Sequence, residues 1–206
     1  GETIIDKYIF VDGVGKPPKE DIISTLLKSE KKYLGGAIAA AKQSVEFCKK
    51  VDLLTNIDDF NYIDKINNNN FKIIKISNDK QNKSITKTRY LNSHFNKKLF
   101  ETYDQIENQN TKKFKLKMKN FLNQNLQKYD LVIVLDFGHG FLDFEDREII
   151  QKKSKYLALN VQTNSGNYGY NLFNQYNKAD LLCIDHNEIR LATKKRSQNL
   201  DKIILE

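Results

Sequence analysis

The sequence has no tryptophan, one methionine, two prolines and two cysteines. With so little proline and no long polar linker, nothing marks a domain boundary, and 206 residues suffice for one well-buried core. Cys48 and Cys183 are far apart, lie in apolar surroundings and have no C-x-x-C spacing. That pattern speaks against a disulfide framework and predicts two reduced, buried thiols in a cytoplasmic protein. No run of about 18 apolar residues is available for a membrane span, and residues 1–11 mix charges into their apolar positions, unlike a signal peptide. The three histidines, His94, His139 and His186, share no ligand spacing, so no zinc site is expected.

Charge is plentiful, with 34 basic against 26 acidic residues and a net +8. This permits attraction to phosphates or nucleic acid without showing it. The densest run, KKFKLKMK at 112–119, lacks an aromatic stacking platform and reads as a solvated face. No nucleic-acid partner is expected.

Along the chain, TIIDKYIFV (3–11) reads as a strand that DGVGKPPKED breaks. GVGK lacks the upstream glycine spacing and the Ser or Thr of a phosphate loop. LGGAIAAAKQSVEFCKKV (34–51) reads as a Gly-Gly turn opening a helix. VDLLTNI, FKIIKIS and SITKTRYLN read as strands between Asn-rich turns such as NNNN at 67–70, and residues 117–129 read as a helix. DLVIVLDFG (130–138) is the apolar run of a parallel strand covered on both faces. A helix near 145–155, the strand YLALNV, the strand ADLLCID and the helix HNEIRLATKK follow. This alternation predicts a parallel α/β sheet, whose ligands meet the C-terminal strand ends. Asp136, Asn160 and Asp185 should therefore emerge on one edge.

Asp-Phe-Gly at 136–138 has the letters with which protein kinases hold magnesium, but the G-x-G-x-x-G-x-V loop, the V-A-I-K lysine and the H-R-D-L-x-x-x-N loop are missing. The amide-rich NVQTNSGNYGYN (160–171) follows a buried strand and reads either as a hydrogen-bonding loop at the ligand edge or as an ordinary turn.

Taken together, GETIID (1–6), LGGAIAAA, residues 84–104, VIVLDFGHG, ALNVQTN and LLCIDHNEIRLA resemble, in order, the elements of the ribokinase-like (PfkB) carbohydrate kinases. Within them the chain is most similar to the heptose-phosphate kinase branch, often fused to a nucleotidyltransferase. The resemblance implies an α/β fold with a parallel sheet flanked by helices and a small β lid, the lid strands lying at approximately 7–34 and 84–104. It implies substrate contacts from Asp6, Gly35, Gly36, Asp136 and Asn160, and a nucleotide or metal region at Asp185 and Glu188, with ATP and Mg2+ as cofactors. There are departures: a sugar-binding Asn of the family is Ala near Ala40, the strand-end Lys is His139, and Asp185 stands where Asn is usual. No G-x-G-D motif, the family's general-base element, occurs in the sequence, so the domain is expected to be incomplete at its C-terminus.

Elementary chemistry gives these residues work. Phosphoryl transfer is mostly positioning and charge neutralisation; a carboxylate such as Asp6 or Asp136 accepts from sugar hydroxyls. Asp185 and Glu188, one helical turn apart, suit either a water-mediated magnesium site or a capping box that needs no metal. The expected function is part of an ATP-dependent sugar or sugar-phosphate kinase, inactive alone; the alternative is a non-catalytic sugar or nucleotide-sugar binding module. A homodimer through the lid is also expected, using Tyr8, Phe10, Leu26, Tyr90 and Leu91.

Overall fold

A computed structural model describes residues 1–57, 70–76, 84–105, 107 and 110–205. In chain order the main elements are β1 (Thr3–Gly15), β2 (Ser24–Gly36), α1 (Ala37–Ser44), β3 (Val51–Leu54), β4 (Phe71–Ile74), β5 (Ile85–Asn92) and β6 (Lys98–Tyr103). They continue with α2 (Lys112–Asn125), β7 (Val132–Asp136), α3 (Phe144–Lys153), β8 (Leu157–Val161), β9 (Leu181–Leu182), α4 (His186–Thr193) and α5 (Leu200–Leu205). The strands form a four-stranded sheet ordered β2-β1-β5-β6, a parallel pair β3-β4, and a parallel sheet β7-β8-β9. The expected α/β architecture is present, with two all-parallel sheets and a mixed four-stranded sheet in which only β1 and β5 run parallel.

Two apolar clusters underlie the two all-parallel sheets. In the first, Ala37, Ile38 and Ala41 of α1 pack on Leu53, Phe71 and Ile73 of β3 and β4. In the second, Phe114, Met118 and Leu122 of α2 pack with Val134, Ile150, Leu157 and Leu159. The spacing of those three α2 residues, four apart, lays one apolar stripe along the helix and leaves its lysines in water. Burying each such side chain stabilises the fold by roughly 1.5–3 kcal/mol. Leu54 and Leu135 each pack against the cluster of the neighbouring sheet and so join the two.

Local signals explain where the elements differ from the sequence reading. Gly35 and Gly36 belong to β2, and α1 stops at Ser44 rather than near 51. The Ser44 hydroxyl donates to the Ala40 carbonyl at 3.0 Å, a local bond that competes with helix continuation. Helix α2 starts five residues earlier than expected because Thr111 caps it, accepting from the Phe114 amide at 3.2 Å. Strand β7 is covered unevenly on its two faces: Val134 and Asp136 are buried but Ile133 is 47% exposed. Val132 and Val134 face the α2 cluster, while on the opposite face Leu135 packs against the α1 cluster and Ile133 is left largely exposed. The cysteines also differ, Cys48 being half-buried and Cys183 exposed, since β9 is a two-residue edge strand with little covering it. Of the Asn-rich turn at 67–70, residues 67–69 lie outside the described residues.

Candidate functional site: a polar cleft between the four-stranded sheet and two strand ends

An open cleft of about 190 Å³ lies where three segments converge. Ile4 and Asp6 of β1, Gly36 of β2, Lys87 and Arg89 of β5 and Tyr103 of β6 form one wall. Phe137 and His139, after β7, and Gln162 and Asn164, after β8, form the other. Parallel pairing sets Asp6 beside Lys87 and Tyr8 beside Arg89. Side chains alternate across a strand, so residues 4 and 6 of β1 and 87 and 89 of β5 share the cleft face.

Asp6 is the centre of the first wall. Arg89 donates from Nη1 to its Oδ1. Its other oxygen, Oδ2, stands 2.0 Å from where a Cβ on residue 35 would be, so only glycine leaves room for it. Glu101 of β6 accepts from Lys87 Nζ at 3.2 Å, lies 3.8 Å from Arg89 Nε, and accepts from the Tyr103 hydroxyl at 3.2 Å. Partial burial works to raise the Glu101 carboxyl, but the Lys87 ammonium, with Tyr103 and Arg89, holds it below its ordinary value. Lys87 also sits over the Tyr103 ring, 4.9 Å from its centroid.

The opposite wall is a backbone loop held from beneath. Glu2, fully buried, accepts from the Phe137 and His139 amides at 3.1 Å each. Burial, followed by the charge of Asp136, pushes the Glu2 carboxyl up. Asp136, 2% exposed, accepts from Gly138 N at 3.0 Å, Arg147 Nε at 3.1 Å and the Tyr176 hydroxyl at 2.7 Å. Burial and the adjacent Asp136 charge drive the Tyr176 phenol strongly up, so it remains a donor. Gly138 and Gly140 adopt φ of 69° and 79° on either side of buried His139. At residue 138 a Cβ would also meet Asn167 Nδ2 at 2.2 Å.

The amide loop after β8 fastens this strand end from above. Asn164 Nδ2 donates to Phe137 O at 2.9 Å and lies 3.4 Å from His139 Nε2. Asn167 Nδ2 donates to Phe137 O at 2.8 Å, and Asn171 Nδ2 to Asp136 O at 3.0 Å. The amides thus satisfy Phe137 O and add a second donor to Asp136 O, which also accepts from the Gln162 amide at 2.8 Å.

Among the residues singled out in the sequence, Asp6 and Gly36 line the cleft, with Gly35 directly under Asp6. Asp136 lies beneath the cleft loop with its carboxylate fully engaged by the protein. Asn160 is in β8 opposite Leu135 and donates to Cys183 O at 2.8 Å, lacing β8 to the segment after β9. Asp185 caps α4 in a capping box with Glu188, whose oxygens accept from Asp185 N at 3.2 Å and Thr163 N at 2.8 Å. Neither Asn160, Asp185 nor Glu188 lines the cleft. Lys87, Arg89, Tyr103 and Glu2 were not singled out; the Lys-x-Arg spacing in a strand was the available signal for two of them.

No family model matches the chain. The bifunctional protein HldE of Helicobacter pylori strain G27 is 26% identical over 149 residues, covering 70% of this chain and 32% of that protein. Phosphofructokinase-2 from Escherichia coli in complex with fructose-6-phosphate superposes with a TM-score of 0.63 at 7% identity, over 98% of this chain and 65% of that one. Its tetrameric inhibited form gives a TM-score of 0.61 at 8% identity, over 98% and 65%. The fold is that of the ribokinase-like sugar kinases. The chain spans about a third of the curated relatives it matches and about two thirds of these solved chains. The Asp-Phe-Gly of residues 136–138 is a strand end whose Phe137 lines a cleft wall. Among the described residues, no helix is long and apolar enough to cross a membrane.

Proposed function

We propose that the cleft binds a sugar or sugar phosphate and is the acceptor half of an ATP-dependent carbohydrate kinase. The observation that carries this reading is the convergence of one partly exposed carboxylate, Asp6, two cations, Lys87 and Arg89, and the polar side chains of His139, Gln162 and Asn164 on one opening. A carboxylate oxygen accepts from a sugar hydroxyl, amides donate and accept, and Lys87, the cation not committed to Asp6, meets a phosphate. Gly35 and Gly36 serve this site by letting β1 and the Asp6 side chain approach. Asp136 acts in support: with Glu2 it fixes the loop that presents His139. Asn160 instead holds the sheet, tying β8 to the segment after β9.

The phosphoryl donor in this reading is ATP with magnesium. Both Glu188 oxygens and one Asp185 oxygen accept backbone amides, so in this reading the pair would meet the metal through water. With no G-x-G-D in the sequence, these 206 residues alone should bind acceptor without transferring phosphate. The capped Asp185–Glu188 pair equally favours a second reading, a sugar-binding module without transfer chemistry.

We further assign the four-stranded sheet as the lid, and infer that it pairs with a second copy. Strand β2 is exposed along nearly its whole length, and Leu26, Leu27 and Phe100 are each more than half exposed. Such an edge and face are what a partner strand or sheet covers. Of the residues expected there, Leu91 is instead buried at 6%, because it faces inward from β5. Tyr8 packs on Tyr33 at 5.7 Å, and Tyr90 stacks on Phe100 at 4.4 Å.

Calorimetric titration with fructose 6-phosphate and a heptose phosphate, alongside phosphorus NMR of ATP with each sugar, tests the reading. Saturable binding without ATP turnover is expected. Failure to bind any sugar phosphate contradicts it.

A further inference from the structure

The cations of the cleft are already spoken for by acids of the same sheet. Arg89 reaches Asp6 with Nη1, approaches Glu101 with Nε at 3.8 Å, and lies over the Tyr8 ring at 5.3 Å from its centroid. Its side chain is only 14% exposed. Three strands therefore fix one guanidinium: β1 through Asp6 and Tyr8, β6 through Glu101, and β5 through the backbone that carries it. The guanidinium in turn leaves Asp6 a single rotational setting. With Oδ1 taken by Arg89, Oδ2 is directed over Gly35, into the space a Cβ would fill.

We propose that Arg89 is a positioning residue, which holds Asp6 so that one defined carboxylate oxygen faces the ligand. The inference rests on the sugar-site reading above but concerns how the site is built. A free aspartate in a strand samples several rotamers, and a ligand that must select one of them binds more weakly by the fraction it finds competent. The planar, delocalised guanidinium suits the task, since it can bond a carboxylate, stack on an aromatic ring and meet a second acid at once; an ammonium can do only part of this. Glu101 completes the arrangement by drawing Arg89 and Lys87 toward β6, which keeps Arg89 from swinging out over the opening.

The test uses Arg89→Ala and Arg89→Lys in the full chain, with amide NMR and calorimetric titration of fructose 6-phosphate. Without any sugar, Arg89→Ala should shift the Gly35 amide resonance, because the carboxylate above it turns, and millimolar methylguanidinium should return the resonance where ammonium does not. With sugar phosphate, affinity should fall by about tenfold or more, in line with a lost hydrogen bond to a charged group, and recover with methylguanidinium. Arg89→Lys should recover only part of it. A Gly35 resonance unmoved by Arg89→Ala, in a variant whose melting temperature matches the parent, overturns the inference. So does undiminished sugar affinity. If the parent binds no sugar phosphate while the Gly35 response and its guanidinium rescue are seen, the functional reading fails and the positioning role stands.

Discussion

The Tyr176 hydroxyl donates to Asp136 Oδ2 at 2.7 Å, and the same oxygen accepts from Arg147 Nε at 3.1 Å. This buried triad ties α3 and the segment before β9 to the end of β7, directly under the loop that presents His139 to the cleft. Removing the hydroxyl with Tyr176→Phe leaves Asp136 one donor short and should cost about 1.5–3 kcal/mol in urea unfolding. Arg147→Met, which strands the buried carboxylate, should cost more, about 3–5 kcal/mol. Equal, small losses would mean that the carboxylate is solvated in the folded state.

Gly138→Ala tests the strand-end loop. The residue has φ of 69°, and a Cβ would press on Asn167 and Asn171. We expect a loss of about 1–3 kcal/mol from the backbone strain, with more from the displaced amides. The circular dichroism midpoint measures it. An unchanged midpoint would show that the loop adopts another conformation.

Asp146 sets a pH dependence. Its carboxyl is pushed up to about 6, by burial first and then by the neighbouring Asp143 carboxylate. Its Oδ1 is buried with no hydrogen-bond partner among the described residues. The unfolded chain releases this proton near 4, so between roughly pH 4 and 6 the folded state holds more of it. This group's contribution is therefore most favourable at or below pH 4 and is lost as pH rises through 6, a change on the order of 2–3 kcal/mol. Asp146→Asn should remove that component. The difference between parent and variant unfolding free energies, followed from pH 4 to 7.5, should grow across this window; a constant difference would contradict it.

Leu26→Glu with Phe100→Glu places charge on the exposed lid surface. If the sheet pairs with a second copy, light scattering should show the parent as a dimer and the double variant as a monomer with unchanged circular dichroism. A parent that stays monomeric at high concentration removes the pairing.

Much of this architecture could be read from the sequence, and the limits have physical causes. Strands β1 and β5 announce themselves through β-branched and aromatic residues, and β8 through a short apolar run. The order of motifs from GETIID to HNEIRLA carried the ribokinase-like resemblance. The uneven covering of the two faces of β7 could not be read, because an apolar run has the same letters whether one face or two are fully buried. Asp136 looked like a ligand because it ends a strand at the expected edge; its partners Arg147 and Tyr176 lie 11 and 40 residues away, and no local spacing reveals them. Lys87 and Arg89 were hidden differently. Their role depends on β5 pairing with β1 from about 80 residues away, which only the fold supplies. The two readings offered for the amide loop meet in the structure: it is a turn, and its amides serve the cleft by holding the opposite strand end.

The central claim, that the cleft between Asp6 and His139 is the acceptor site, is tested most directly by amide NMR during titration with fructose 6-phosphate. The account predicts saturable shifts concentrated at Ile4, Asp6, Gly36, Lys87, Arg89, His139 and Asn164, abolished by Asp6→Asn while the rest of the spectrum is retained. Shifts confined to the lysines of α2, or shifts at the cleft that survive Asp6→Asn unchanged, would contradict it.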